Sequence, residues 1–160
     1  MYCKPASFHD FVEVSRNMTV ADKLEWRLMS PVEPVQDTLL RILTAHPQHQ
    51  MFCIHASTGE ALLLGGFDKS GVVWMIATED AKHHPHRCVR GIKEGMALAF
   101  RSGITTLHNF MLSSNTLHRN LLEHLGAVWT GKSVYVEGHQ FDKFYITQKK
   151  GDQACAAQQA

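Results

Sequence analysis

A strand, a capped helix and a glycine stop follow one another between Leu107 and Val128, and this stretch constrains the fold more than any other. Residues 104–112 read as a strand with Leu107 at its centre. Asn115 stands where a helix N-cap is needed, because its side-chain oxygen accepts a free amide of the first turn. Leu117, Leu121 and Leu125 recur at the spacing of one helix face, and Gly126 lies just past the end, where a left-handed backbone closes a helix. Strand, helix and strand in such quick succession predict helices layered against a sheet.

Punctuation elsewhere supplies the other elements. Residues 2–4 read as a short first strand stopped at Pro5. Ser7 with Asp10 makes a capping box for a helix through Phe8, Phe11 and Val12, and Thr19 with Asp22 repeats the signal. Val20, Leu24 and Leu28 mark the face of that second helix. After a break at residues 30–34, Val35, Leu39, Ile42 and Leu43 mark a third, ended at His46-Pro47. The apolar runs 51–55 and 61–67, joined by a turn at 57–60, form a hairpin. A turn at 69–71 leads into the unbroken apolar run 72–77, which predicts a strand covered on both faces at the centre of a sheet. Val89, Ile92, Met96, Ala99 and Phe100 give a helix closed by Ser102-Gly103. A last hairpin over 128–137 and 141–147 turns around Gly138-His139. The sum is an α+β fold, an α/β sandwich whose mixed, mostly antiparallel sheet has helices on both faces. One domain spans residues 1–148, and a mobile tail rich in Ala and Gln spans 149–160.

Composition removes several function classes. The chain has 160 residues, enough for a sizeable core, and its 16 basic and 15 acidic residues leave a net charge of +1. No basic block offers a nucleic-acid footprint, and Trp26, Trp74 and Trp129 read as core or interface anchors, not base-stacking platforms. Cys3, Cys53, Cys88 and Cys155 are widely spaced, which predicts reduced thiols in a reducing compartment. Lys4-Pro5 and His9-Asp10 interrupt the start before any apolar region forms, so no signal peptide is expected, and no apolar run approaches membrane-spanning length. The 11 His residues are the one compositional oddity. Three of them fall in His83-His84-Pro85-His86, but a Pro-containing loop without a matched Cys or carboxylate does not build a tetrahedral centre, and no metal is expected.

The strand ending at Asn115, the helix and the Gly126 stop resemble the back half of a GCN5-related N-acetyltransferase (GNAT) domain, and the order of all the elements is similar to that family's. The resemblance implies a V-shaped opening between the fourth and fifth strands where coenzyme A lies. Backbone groups of the fourth strand would pair with its pantetheine arm, and a loop Arg/Gln-x-x-Gly-x-Gly/Ala would present amides to its pyrophosphate. In this chain Arg87 aligns with the leading Arg, but Arg90 and Ile92 stand at the glycine positions. The Tyr that commonly protonates the departing thiolate is Leu122 here. If the chain is active, the resemblance implies acetyl-coenzyme A as cofactor, held by Ala77, Thr78, Arg87, Arg90 and Asn115. The base candidates are then His108 and Glu79 with its neighbour Asp80, and Tyr135 and Tyr145 are substitute acids on the last hairpin.

These departures are themselves shared by one group. Asn115-Thr116, Leu122, Gly126-Ala127-Val128 and the ending Phe144-Tyr-Ile-Thr147 followed by a basic and glycine-containing tail resemble small internal virion proteins of short-tailed bacteriophages, which look like degenerate GNAT domains. This resemblance implies a virion or morphogenesis protein located in the particle or the host cytoplasm. It would bind other virion or assembly proteins, with no cofactor, no catalytic residue and no contact to nucleic acid or membrane. The alternative it is weighed against is an acetyl-coenzyme-A-dependent N-acetyltransferase acting on an amine or a host protein.

Overall fold

The computed structural model describes residues 1–31, 33–45 and 50–148. Its elements run β1 (Cys3–Pro5), α1 (Phe8–Asn17), α2 (Val20–Met29), α3 (Val35–Ala45), β2 (Gln50–His55), β3 (Ala61–Phe67), β4 (Val73–Ala77), a 3-10 turn (Glu79–His83), α4 (Pro85–Arg101), β5 (Thr106–Leu112), α5 (Thr116–His124), β6 (Val128–Val136) and β7 (His139–Thr147). The expected stop at His46-Pro47 and the tail from 149 lie outside the described residues.

The strands form two sheets. One has four strands in the order β1-β2-β3-β4, the other three in the order β5-β7-β6, and every neighbouring pair is antiparallel. Successive residues of a strand face opposite ways, so β3 feeds two cores. Leu64 meets Phe11 and Val14 of α1 and Leu39 of α3 on one face, while Phe67 joins a second cluster with Ala99, Leu107, Leu122 and Phe144. Trp26 of α2 stands edge-on to Trp74 of β4, ring centroids 5.7 Å apart. Helices thus lie on both faces, as the sequence predicts. No helix among the described residues is long and apolar enough to cross a membrane.

Three local expectations are corrected. Val20, expected on the inner face of α2, is 77% exposed, because the inward position there belongs to Asp22. Leu117 is exposed too, since the face α5 buries carries His118, Leu122 and Leu125; a polar residue in that stripe shifted the apolar reading by one position. Finally, β4 ends its sheet instead of sitting inside a continuous one. Its first three residues are half-buried, and its apolar run packs against α2 and lines an apolar cavity where a second neighbouring strand was expected.

Candidate functional site at the parting of the two sheets

Among the described residues the backbones of the two sheets are joined only where β4 and β5 begin. The turn over residues 68–71 approaches β5 so closely that a Cβ on Gly71, whose φ is +87°, would lie 2.1 Å from the Thr106 carbonyl oxygen. Glycine is therefore required twice over, for the left-handed backbone and for the space. Beside it the His108 amide donates to the Gly71 carbonyl at 2.9 Å, Val72 and His108 form a parallel bridge, and Asn109 Nδ2 donates to the Val73 carbonyl at 2.8 Å. From that joint β4 and β5 run on in the same direction with no further pairing to each other among the described residues.

Helix α2 closes the parted ends. The chain enters it along β4: Met18 bridges Thr78, and the Thr19 amide donates to the Ala77 carbonyl at 3.0 Å. Asp22 then accepts the Ala77 amide on Oδ2 at 2.7 Å, and Glu25 accepts the Leu112 amide on Oε1 at 3.2 Å. One helical turn of α2 therefore ties the last residue of β4 to the last residue of β5. Asn115 joins both carboxylates. Its Nδ2 donates to Asp22 Oδ1 at 3.1 Å and Glu25 Oε2 at 3.3 Å, while its Oδ1 caps α5 by accepting the His118 amide. Asp22, Asn115 and His118 are 1%, 3% and 5% exposed. Burial raises the Glu25 carboxyl above its ordinary range, more than His118 and the bonds from Leu112 and Asn115 lower it. The buried Asp22 and the half-buried Glu25 each have both carboxylate oxygens accepting a hydrogen bond, which offsets their removal from water.

Behind this closure an apolar cavity of about 390 Å³ lies between the sheets, lined by Phe52, Met75, Met96, Phe110, Met111 and Leu122 among others. Leu122 presents hydrocarbon where the resemblance places an acid. Outside, between α4 and α5, an open groove carries Arg87, Arg90, Lys93 and His124 around Tyr2. Its arginines are already engaged: Arg87 lies over the Tyr2 ring at 5.0 Å and donates to the His55 carbonyl, and Arg90 donates to the Tyr2 hydroxyl at 3.2 Å. Gly91, the glycine nearest the expected phosphate loop, faces inward; a Cβ there would lie 2.5 Å from Ile54 Cδ1.

The structure separates the base candidates. His108 sits at the joint with its Nε2 3.2 Å from the Ser70 carbonyl oxygen, whereas Glu79 is exposed beyond the far end of β4, 3.4 Å from Lys82. Thr78 spends its hydroxyl on the Ala61 and Leu62 carbonyls, and Tyr135 is 69% exposed against Gln140. Ala77 and Asn115, named from the resemblance, do meet at the parting, but through Asp22. The residues that organise the site, Asp22, Glu25 and His118, are not legible as such in the sequence. Asp22 reads there as a cap; Thr19 does accept its amide, yet the Asp22 side chain turns to β4 instead. Among the described residues the cysteines offer no activated nucleophile: Cys3, Cys53 and Cys88 are buried and free, and burial, with Glu94 adding to it, pushes the Cys3 thiol up to about 11.

No protein-family model matches the chain, and no curated protein matches it by sequence. Solved structures do match. A spermidine N-acetyltransferase from Vibrio cholerae, solved with CoA and spermine, superposes with a TM-score of 0.69 at 14% identity, covering 91% of this chain and 94% of that one. A ribosomal-protein-alanine N-acetyltransferase from Brucella melitensis gives 0.68 at 7% identity over 92% and 100%. A ribosomal-protein-S5-alanine acetyltransferase from Vibrio fischeri gives 0.64 at 12% over 92% and 93%. The chain has the GNAT fold over most of its length. At such identities the likeness carries the fold and leaves the chemistry to the site.

Proposed function

We propose that this protein uses the GNAT fold as a rigid block for protein–protein contacts, as an internal virion or morphogenesis protein of a short-tailed bacteriophage, and does not transfer acetyl groups. The observation that carries the non-catalytic part is the occupation of the parted strand ends: the Ala77 and Leu112 amides are held by Asp22 and Glu25, so a pantetheine arm would have to displace a buried carboxylate to pair with β4. Arg90 and Ile92 at the glycine positions of the phosphate loop and Leu122 in place of the acid support the same reading. The virion part rests on the shared short motifs around Asn115, Leu122 and residues 126–128. Partners have apolar surface to grip, since Phe8, Val20, Leu117 and Tyr135 are all more than half exposed. Calorimetry with acetyl-coenzyme A tests the first part: no saturable heat is expected, and stoichiometric binding in the micromolar range overturns it. Purified particles test the second, where the chain is expected at a fixed copy number and its absence overturns the assignment.

A second reading has its own support. All three neighbours named above are acetyltransferases, and a groove between α4 and α5 bears Arg87, Arg90 and Lys93. On this reading the chain is an acetyl-coenzyme-A-dependent N-acetyltransferase acting on an amine or a host protein. Release of free thiol above background with polyamines or N-terminal peptide amines is then expected. Silence across both substrate classes counts against it.

A further inference from the structure

We propose that Asp22, Glu25 and His118 bind one divalent transition-metal cation of the zinc class, stapling α2 to α5 across the parted ends of β4 and β5. One ligand atom from each residue lies within 4.8 Å of the other two. Asp22 Oδ1 and His118 Nε2 stand 3.3 Å apart. That is close to the separation of about 3.4 Å between two ligands of a tetrahedral zinc with bonds near 2.0–2.1 Å.

A second observation is independent of the acidic pair. His118 is 5% exposed, and its Nε2, aimed at Asp22, has no hydrogen-bond partner among the described residues. As a donor it misses the bonding direction of the carboxylate; as an acceptor it faces an oxygen with no proton to give. A buried nitrogen left so is destabilising, and a cation between the two atoms removes the mismatch. The same cation offsets the two carboxylate charges, for which the cluster has a single imidazole as cationic partner. The two backbone amides and Asn115 already orient the carboxylates, the role of outer-shell partners around a metal. One imidazole with two carboxylates suits zinc, iron or manganese better than the softer thiolate-seeking ions. Glu25 and His118 also line the apolar cavity between the sheets, so a fourth coordination position opens toward it.

The untagged full chain, stripped with chelator, is titrated with Co2+ by visible absorption and with Zn2+ by calorimetry and thermal melting. One equivalent is expected, with the absorption of low-symmetry cobalt and a raised Tm. His118→Ala and Glu25→Gln are expected to weaken binding at least tenfold while circular dichroism stays native. A His83→Ser, His84→Ser, His86→Ser variant is expected to bind like the wild type. No binding or Tm shift in the wild type overturns the site. So does binding that survives His118→Ala and vanishes in the triple variant, which assigns it to the exposed histidines as an adventitious ion only. The readout is the metal, so this result and the acetyl-coenzyme A titration are decided separately.

Discussion

At residue scale, Gly91 shows how a position that looks like a ligand loop is given over to packing. It lies on α4 facing β2, and a Cβ would meet Ile54 Cδ1 and Cγ1 at 2.5 and 2.6 Å, with Ile54 itself 2% exposed. Replacing a helical glycine by alanine gains about 1 kcal/mol of propensity. Overpacking a fixed core costs about 1–3 kcal/mol. Gly91→Ala is therefore expected to lose stability by about 1 kcal/mol net, read as a lower urea midpoint at unchanged slope; a gain would mean that Ile54 yields freely. Capping is the residue-scale feature the sequence conveys well. Ser7 with Asp10 forms its full capping box, and Asn115 caps α5 as its spacing predicts. Asp22 obeys the same local rule in its backbone and breaks it in its side chain, because its strongest partner is Ala77, distant in sequence. Local spacing cannot carry a long-range partner, which is why the candidate site stayed hidden while its cap was plain.

At the scale of elements, the terminal hairpin turns one residue earlier than its glycine suggests. Glu137 and Gly138 take φ of +49° and +79°, the pair of positive angles of a tight hairpin turn, so Glu137 adopts a backbone that side chains disfavour. Asp142 on β7 fastens this hairpin to the rest: it accepts from Ser113 beyond β5, Ser133 on β6, Gln140 on β7 and Arg119 of α5. Burial opposes its charge, yet these bonds outweigh burial and hold the carboxyl well below its ordinary 3.8. Between the folded and unfolded values the folded chain binds fewer protons. The contribution is thus complete above the unfolded value and is lost as pH falls through the folded one. Asp142→Asn is expected to cost about 1–2 kcal/mol near neutral pH, and the gap to wild type to narrow below about pH 4. Urea melts of both proteins at several pH values check this. Asp10 and Glu25 are common to the pair and cancel in the difference; a gap independent of pH would assign the loss to shape alone.

At the scale of the whole molecule, element order and fold were legible because they depend on local periodicity and turns. Two matters were not. One is that β4 and β5 part after a short joint; an apolar run such as 72–77 reads alike whether a strand, a helix or a cavity covers it. The other is that α2 spans the parting with two carboxylates. If α2 is the clamp, its removal should open the molecule at one place. Asp22→Ala takes away the acceptor of the Ala77 amide and one acceptor of Asn115, while the β5–β7 ladder, in which Leu107 faces Ile146, keeps every bond. Local openings expose amides in contiguous groups with free energies below that of global unfolding. Exchange of the Ala77, Leu112 and His118 amides is therefore expected to quicken by about tenfold or more in this variant, with Leu107 and Ile146 protected as in the wild type. Hydrogen exchange resolved by residue reads both groups in one experiment. Uniform acceleration across the ladder would show that Asp22 supports the fold as a whole, and that the two sheets hold together without a clamp at their parted ends.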